Sequence, residues 1–165
     1  MPPTRNDPPR PVEPRRATRG DLAALTAHWL ALTRHHAEFD RQFALRAGAD
    51  RRARELLGEL LGRPDTAIFV VDAASGLAGY AIVRVDEAPP IHAETCRAEI
   101  SDLYVAPAAR RAGVGRALVA SATGWARERG VARLEVRALT RNRQAQAFWR
   151  AQGYGDHVDV LQRRL

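Results

Sequence analysis

Lysine is absent from this chain, and all 26 basic residues are arginine. A Walker-type phosphate loop needs its lysine, so that nucleotide chemistry is excluded. Cysteine is nearly absent as well. Cys96 stands alone, which rules out a disulfide framework and fits a reducing compartment, so a cytoplasmic protein is expected. As a small side chain in or beside a strand, Cys96 reads as packing rather than as a thiol nucleophile. No apolar run approaches the roughly 18 residues of a membrane span, and the N-terminus has no signal-peptide core. No membrane partner is therefore expected.

The length of 165 residues suits one domain with a proper core. Six of the ten prolines fall in the first 14 residues, among several arginines. Residues 1–11 therefore read as a disordered tail, and residues 12–165 as a single domain. The formal charge of +7, carried by arginine alone beside abundant alanine, reads as GC-rich coding rather than as selection for a polyanion partner. It can still attract phosphates or, as a partner not favoured, nucleic acid. Monomer and homodimer both stay open.

Hydrophobic periodicity sets out the elements. A short strand is expected at 12–17. Leu22, Leu25, Trp29 and Leu32 then keep a helical spacing behind the capping residues of 18–21. A polar stretch at 34–40 follows, then a helix with Ala53, Leu56, Leu57, Leu60 and Leu61 on its apolar face. Residues 67–72 and 77–85 form a hairpin around Ala74-Ser75-Gly76. A loop at 87–93 leads to a strand at 99–105, a helix to about residue 129 capped by Gly130, and a half-buried strand at 133–139. Asn142 opens a last helix carrying Ala145, Phe148 and Trp149, and a final strand is expected at 154–161. The fold class is α/β, with a mixed central sheet of six to seven strands flanked by four helices.

The stretch VAPAARRAGVG, from Val105 to Gly115, organises the rest. It joins a strand to a helix whose first amides lack intrahelical partners and whose dipole adds positive potential. Gly113 and Gly115 let an anion approach the backbone, with Val114 between them, and Arg110, Arg111 and Arg116 add formal charge. A pyrophosphate is expected there. The dinucleotide fingerprint would need a third glycine where the chain has Leu118.

Arg110-x-x-Gly113-x-Gly115 resembles the pyrophosphate loop of the GCN5-related N-acetyltransferases (GNAT). Asn142-x-x-Ala145-x-x-Phe148-Trp149-x-x-x-Gly153-Tyr154 is similar to that family's closing motif, and the order of elements agrees from about Val12 onward. The resemblance implies the acyl-CoA N-acyltransferase fold, acetyl-CoA as cosubstrate, and transfer of its acetyl group directly to a primary amine of a small molecule or protein. It implies a backbone donor for the thioester carbonyl near Leu103 to Val105, with Asn142 beside the pantetheine arm and Trp149 near the sulfur. It also makes Glu99 the first candidate for the general base, with Asp102 second. Many members carry tyrosine where this chain has Trp149, and indole is not a usable acid near neutral pH.

Strand alternation puts Glu99 and Asp102 on opposite faces, a parity that a bulge between them would reverse. The resemblance also implies that the acceptor meets residues 34–49, where His35, His36, Glu38, Asp40 and Arg41 form a polar segment anchored by Phe39 and Phe43. No metal is expected, because His28, His35, His36 and Glu38 do not make a converging set of ligands. Two other functions stay open: an aminoacyl-tRNA acetyltransferase, and a non-catalytic acyl-CoA-binding regulatory module.

Overall fold

In the computed structural model, residues 12–94 and 96–163 are described; the tail assigned to residues 1–11 lies outside them. The five strands are β1 (Arg15–Arg16), β2 (Thr66–Asp72), β3 (Leu77–Glu87), β4 (Cys96–Val105) and β5 (Leu134–Val136). They lie side by side in chain order; the first three pairings are antiparallel and β4 pairs β5 in parallel. The helices are α1 (Leu22–Phe39), α2 (Ala49–Leu60), α3 (Val114–Arg127) and α4 (Arg143–Ala151).

β2 as far as Val71 and β3 as far as Val83 are buried on both faces because helices cover both, which explains their apolar runs. Ile68, Val70, Tyr80 and Ile82 face α1 and α2, where Leu25, Leu32 and Leu57 meet them. Ala67, Phe69, Ala81 and Val83 face the other way, against Val114, Leu118, Ala122 and Trp125 of α3 and Trp149 of α4. No helix among the described residues is long and apolar enough to cross a membrane.

Among the described residues the sheet has five strands rather than six to seven. Residues 154–161 form no strand, and Val158, Val160 and Leu161 are 73%, 78% and 92% exposed. Their alternation resembles a half-buried strand, but no sheet edge or second layer receives it. The first strand shrinks from the expected 12–17 to two residues, and the strand expected at 133–139 to three. Leu56, expected on the apolar face of α2, is 48% exposed, because Ala53 and Leu57 carry that contact.

Short as it is, β1 is pinned electrostatically. The Arg15 guanidinium donates to both oxygens of Asp21 and of Asp72, at 2.7–2.9 Å. Those bonds, with others from Thr18, hold the Asp21 carboxyl well below the ordinary carboxylate range. A carboxyl depressed in the native state stabilises above its unfolded pKa and loses that contribution as pH falls. Asp21→Asn should therefore be less stable than the parent at pH 7. The gap should narrow below about pH 4, as urea unfolding at pH 7 and pH 3 would read.

Gly79 lets β3 and β4 meet closely beneath the first turn of α3. A Cβ there would stand 2.5 Å from the Tyr104 carbonyl oxygen and 3.2 Å from Val114 Cγ1. The backbone oxygen has nowhere to go, so Gly79→Ala is expected to cost about 3 kcal/mol. An unchanged urea midpoint would refute that reading of the contact.

Candidate active site

Between β4 and α3 the chain makes a one-turn 3-10 helix (Pro107–Ala109) and a basic turn. Within that turn Arg111 and Gly113 both take left-handed backbone, at φ 68° and 83°. A non-glycine residue in that region is uncommon, and here it lies at the expected anion turn. The first bond of α3 runs from Ala117 N to Gly113 O, at 3.0 Å. The amides of Val114, Gly115 and Arg116 thus precede the first helical donor and face out of the helix end. Arg110, Arg111 and Arg116 are exposed around them.

The two glycines do different things. The space beside Gly113 is open, so its requirement is conformational. A Cβ on Gly115 would meet the Phe148 ring at 3.3 Å, so Gly115 sets how closely α3 and α4 pack. Sequence reasoning credited both to anion approach and missed the second contact.

β4 carries the main surprise. Ile82 pairs with Asp102 and Val83 with Ile100, which leaves Ser101 as an extra residue. That bulge reverses the strand's parity at Ser101. Glu99 pairs with Arg84, two residues from Ile82, so Glu99 and Asp102 share the face toward α1. The opposite-face expectation is therefore corrected.

The two carboxylates have unlike surroundings. Glu99 accepts from Arg84 Nη2 at 3.1 Å and stands 3.3 Å from Arg137 Nε, with its side chain 12% exposed. Asp102 accepts from the Trp29 indole N–H and the Ser101 hydroxyl, both at 2.8 Å. Burial pushes the Asp102 carboxyl up, against those two bonds and the pull of His36 and Arg84. Neighbouring Tyr80 is fully buried, and its hydroxyl has no partner among the described residues. Burial and the Asp102 charge raise that hydroxyl well above the usual phenol range.

Pairing between β4 and β5 stops after Ile100 opposite Val136. The Ala106 N–H donates toward β3, to Ala78 O at 2.8 Å, so alternation turns the amides of Leu103 and Val105 the other way, toward the gap beyond β5. Arg110 Nε donates to the Val105 carbonyl oxygen at 3.3 Å on that side. Strand edge, basic turn and helix end thus open on one side of β4.

Asn142 is buried and caps α4, its side-chain oxygen accepting from the Ala145 N–H at 3.0 Å. A cap thus accounts for an asparagine at that offset. Trp149 is 9% exposed and packs edge-on to Phe148 and Tyr154, each at 5.1 Å between ring centres. Tyr154 holds its proton firmly, since burial raises its pKa to about 12.

The acceptor segment is also revised. Arg34, His35, His36, Glu38 and Phe39 belong to the last turns of α1 rather than to a loop. His35 pairs with Glu38 at 3.2 Å, and Asp40 caps the next turn by accepting from the Gln42 N–H. His36 lies against Phe43 and within electrostatic reach of Asp102. Burial, with a push from His35, holds its imidazole below the ordinary range, so it is neutral near pH 7. No group of three metal-ligating side chains occurs among the described residues.

Residues 29–154 match the Acetyltransferase (GNAT) family. No curated protein sequence matches the chain. A mutant of the BH1408 protein from Bacillus halodurans superposes with a TM-score of 0.80 at 19% identity, over 92% of this chain and 98% of that one. A GCN5-related N-acetyltransferase from Ralstonia eutropha JMP134 gives 0.75 at 23%, over 93% and 99%. Aminoglycoside N-acetyltransferase AAC(6')-Iy, in complex with CoA, gives 0.72 at 19%, over 95% and 97%. At such identities these likenesses show the fold alone.

Proposed function

Because the chain belongs to the acetyltransferase (GNAT) family, we propose that it transfers the acetyl group of acetyl-CoA directly to a primary amine of a small molecule or protein. The observation that carries this reading is the junction of the unpaired β4 edge with a left-handed turn and the outward amides of α3. Its residues fit the cosubstrate. The amides of Val114, Gly115 and Arg116, with the arginines of the turn, would hold the pyrophosphate. Bound there, acetyl-CoA supplies an activated thioester.

The N–H groups of Leu103 and Val105 would offer donors for the carbonyl oxygen on which negative charge develops. An ammonium acceptor must lose a proton before it can attack. Asp102 is the better base, because its raised pKa brings it nearer the amine, while both oxygens of Glu99 are engaged by arginines. Glu99 would then hold Arg84 and Arg137 in place. The buried Asn142 and Trp149 would support α4 beside the pantetheine arm and the sulfur. The unprotonated thiolate, of pKa about 8.5, is a fair leaving group without a dedicated acid.

A thiol-release assay across amines, an aminoglycoside, lysine peptides and aminoacyl-tRNA tests the proposal. Saturable thiol release with one amine class supports it. Tight acetyl-CoA binding with no release from any acceptor would point to a regulatory module instead. Release confined to aminoacyl-tRNA and falling steeply with salt would point to the tRNA reading.

A further inference from the structure

At the far end of α3 from the basic turn, Arg16, Phe69, Ser121, Gly124, Trp125, Glu128 and Arg129 line an open cavity of about 580 Å³. Arg129 stacks on the Trp125 ring with its central carbon 3.9 Å from the ring centre. The Arg16 guanidinium comes from β1, 5.4 Å from the Phe69 ring and 6.0 Å from the Trp125 ring. Among the described residues neither arginine has a carboxylate within ion-pairing distance, unlike Arg15, Arg63, Arg84, Arg97, Arg133 and Arg150. Each makes one long bond to a carbonyl oxygen: Arg16 to Thr66 at 3.4 Å and Arg129 to Trp125 at 3.3 Å. Most of their donors are unspent.

A second observation is independent of charge. Trp125 is 6% exposed, and its indole N–H is buried with no acceptor among the described residues. An unsatisfied buried donor is rare and asks for a partner. Two guanidiniums against one indole ring, with no carboxylate paired to either among the described residues, ask for an anion. Burial, with a push from Arg129, lowers the Arg16 pKa. Glu128 and the carbonyl end of α3 oppose an anion, but Glu128 is exposed and free to turn outward, and the helix end carries only about half a charge.

We propose that this cavity is a second anion site, in which Arg16 and Arg129 clamp a small oxyanion, a carboxylate or a phosphate, beside Trp125 and Ser121. Guanidinium forks match the planar edge of either group, and the aromatic walls keep them pre-aligned.

The test follows the three tryptophan indole N–H signals by NMR, with excess CoA present so that the basic turn is occupied. Inorganic phosphate and citrate are titrated separately at constant ionic strength, and Trp125→Phe identifies the signal. Saturable movement of the Trp125 signal is expected, with at least a tenfold weaker midpoint in Arg16→Gln and in Arg129→Lys, which keeps the charge but loses the fork. The acetyl-CoA affinity of both variants should match the parent. Response to phosphate alone or to citrate alone identifies the group the site takes. A linear response equal to that of sodium chloride, or saturation unchanged in both variants, would overturn the proposal.

Discussion

Asp102→Asn is expected to lower acetyl transfer by about 10²- to 10⁴-fold, the usual worth of a positioned general base. The fold should be untouched. The amide oxygen still accepts from the Trp29 indole, and the amide nitrogen can donate to the Ser101 hydroxyl after that hydroxyl rotates. Stability should even favour the variant near neutral pH. Burial raises the Asp102 pKa, so its contribution to stability is whole below the unfolded value and is lost as pH rises through the folded one. The advantage of Asp102→Asn should therefore open across that interval, which lies above about pH 3.9. The acid limb of the parent's kcat/KM profile should fall above the ordinary carboxylate range and vanish in the variant. Should Asp102→Asn keep parental turnover while Glu99→Gln loses it, the proton goes to Glu99 and the bulge serves another purpose.

Gly113→Val carries the second large effect. A β-branched residue at φ 83° is a severe outlier, with strain on the order of 1–3 kcal/mol. Open space surrounds that position, so the strain is relieved by rotating the backbone rather than by pushing a neighbour. The amides of Val114, Gly115 and Arg116 turn with it. Acetyl-CoA affinity should fall at least about tenfold, the equivalent of about 1.4 kcal/mol, with little change in Tm. Gly115→Ala supplies the contrast, since its new Cβ presses on Phe148 at 3.3 Å. It should lower Tm first, and Phe148→Leu should recover part of the loss. Calorimetric titration with acetyl-CoA beside thermal unfolding separates the two. Equal affinity loss without any loss of stability in Gly115→Ala would mean that the Phe148 contact yields freely.

Local chemistry wrote a good deal of this molecule into its sequence. The 3–4 spacing of Leu22, Leu25, Trp29 and Leu32, and that of Val114, Leu118, Ala122 and Trp125, made α1 and α3 legible, because a helix closes its hydrogen bonds within itself. Ala74-Ser75-Gly76 announced the β2–β3 hairpin, because so short a turn depends only on its own residues. Arg110-x-x-Gly113-x-Gly115, between a strand and an amphipathic helix, marked the basic turn that opens α3.

Pairing between distant segments decided the rest. The bulge at Ser101 exists only because β4 is registered against β3, and it alone brings Glu99 and Asp102 to one face. Arg84 and Arg137, which occupy Glu99, lie on segments far from it in sequence, one on β3 and one just beyond β5. Residues 154–161 alternate like a strand, yet a strand needs an edge to join, and no pattern within the segment can report one. Sequence determined most of the helices and strands and the basic turn ahead of α3, since those depend on neighbours a few residues apart. Only the tertiary structure determined which carboxylate is buried and which is bridged, since desolvation and charge pairing depend on what the folded sheet carries alongside.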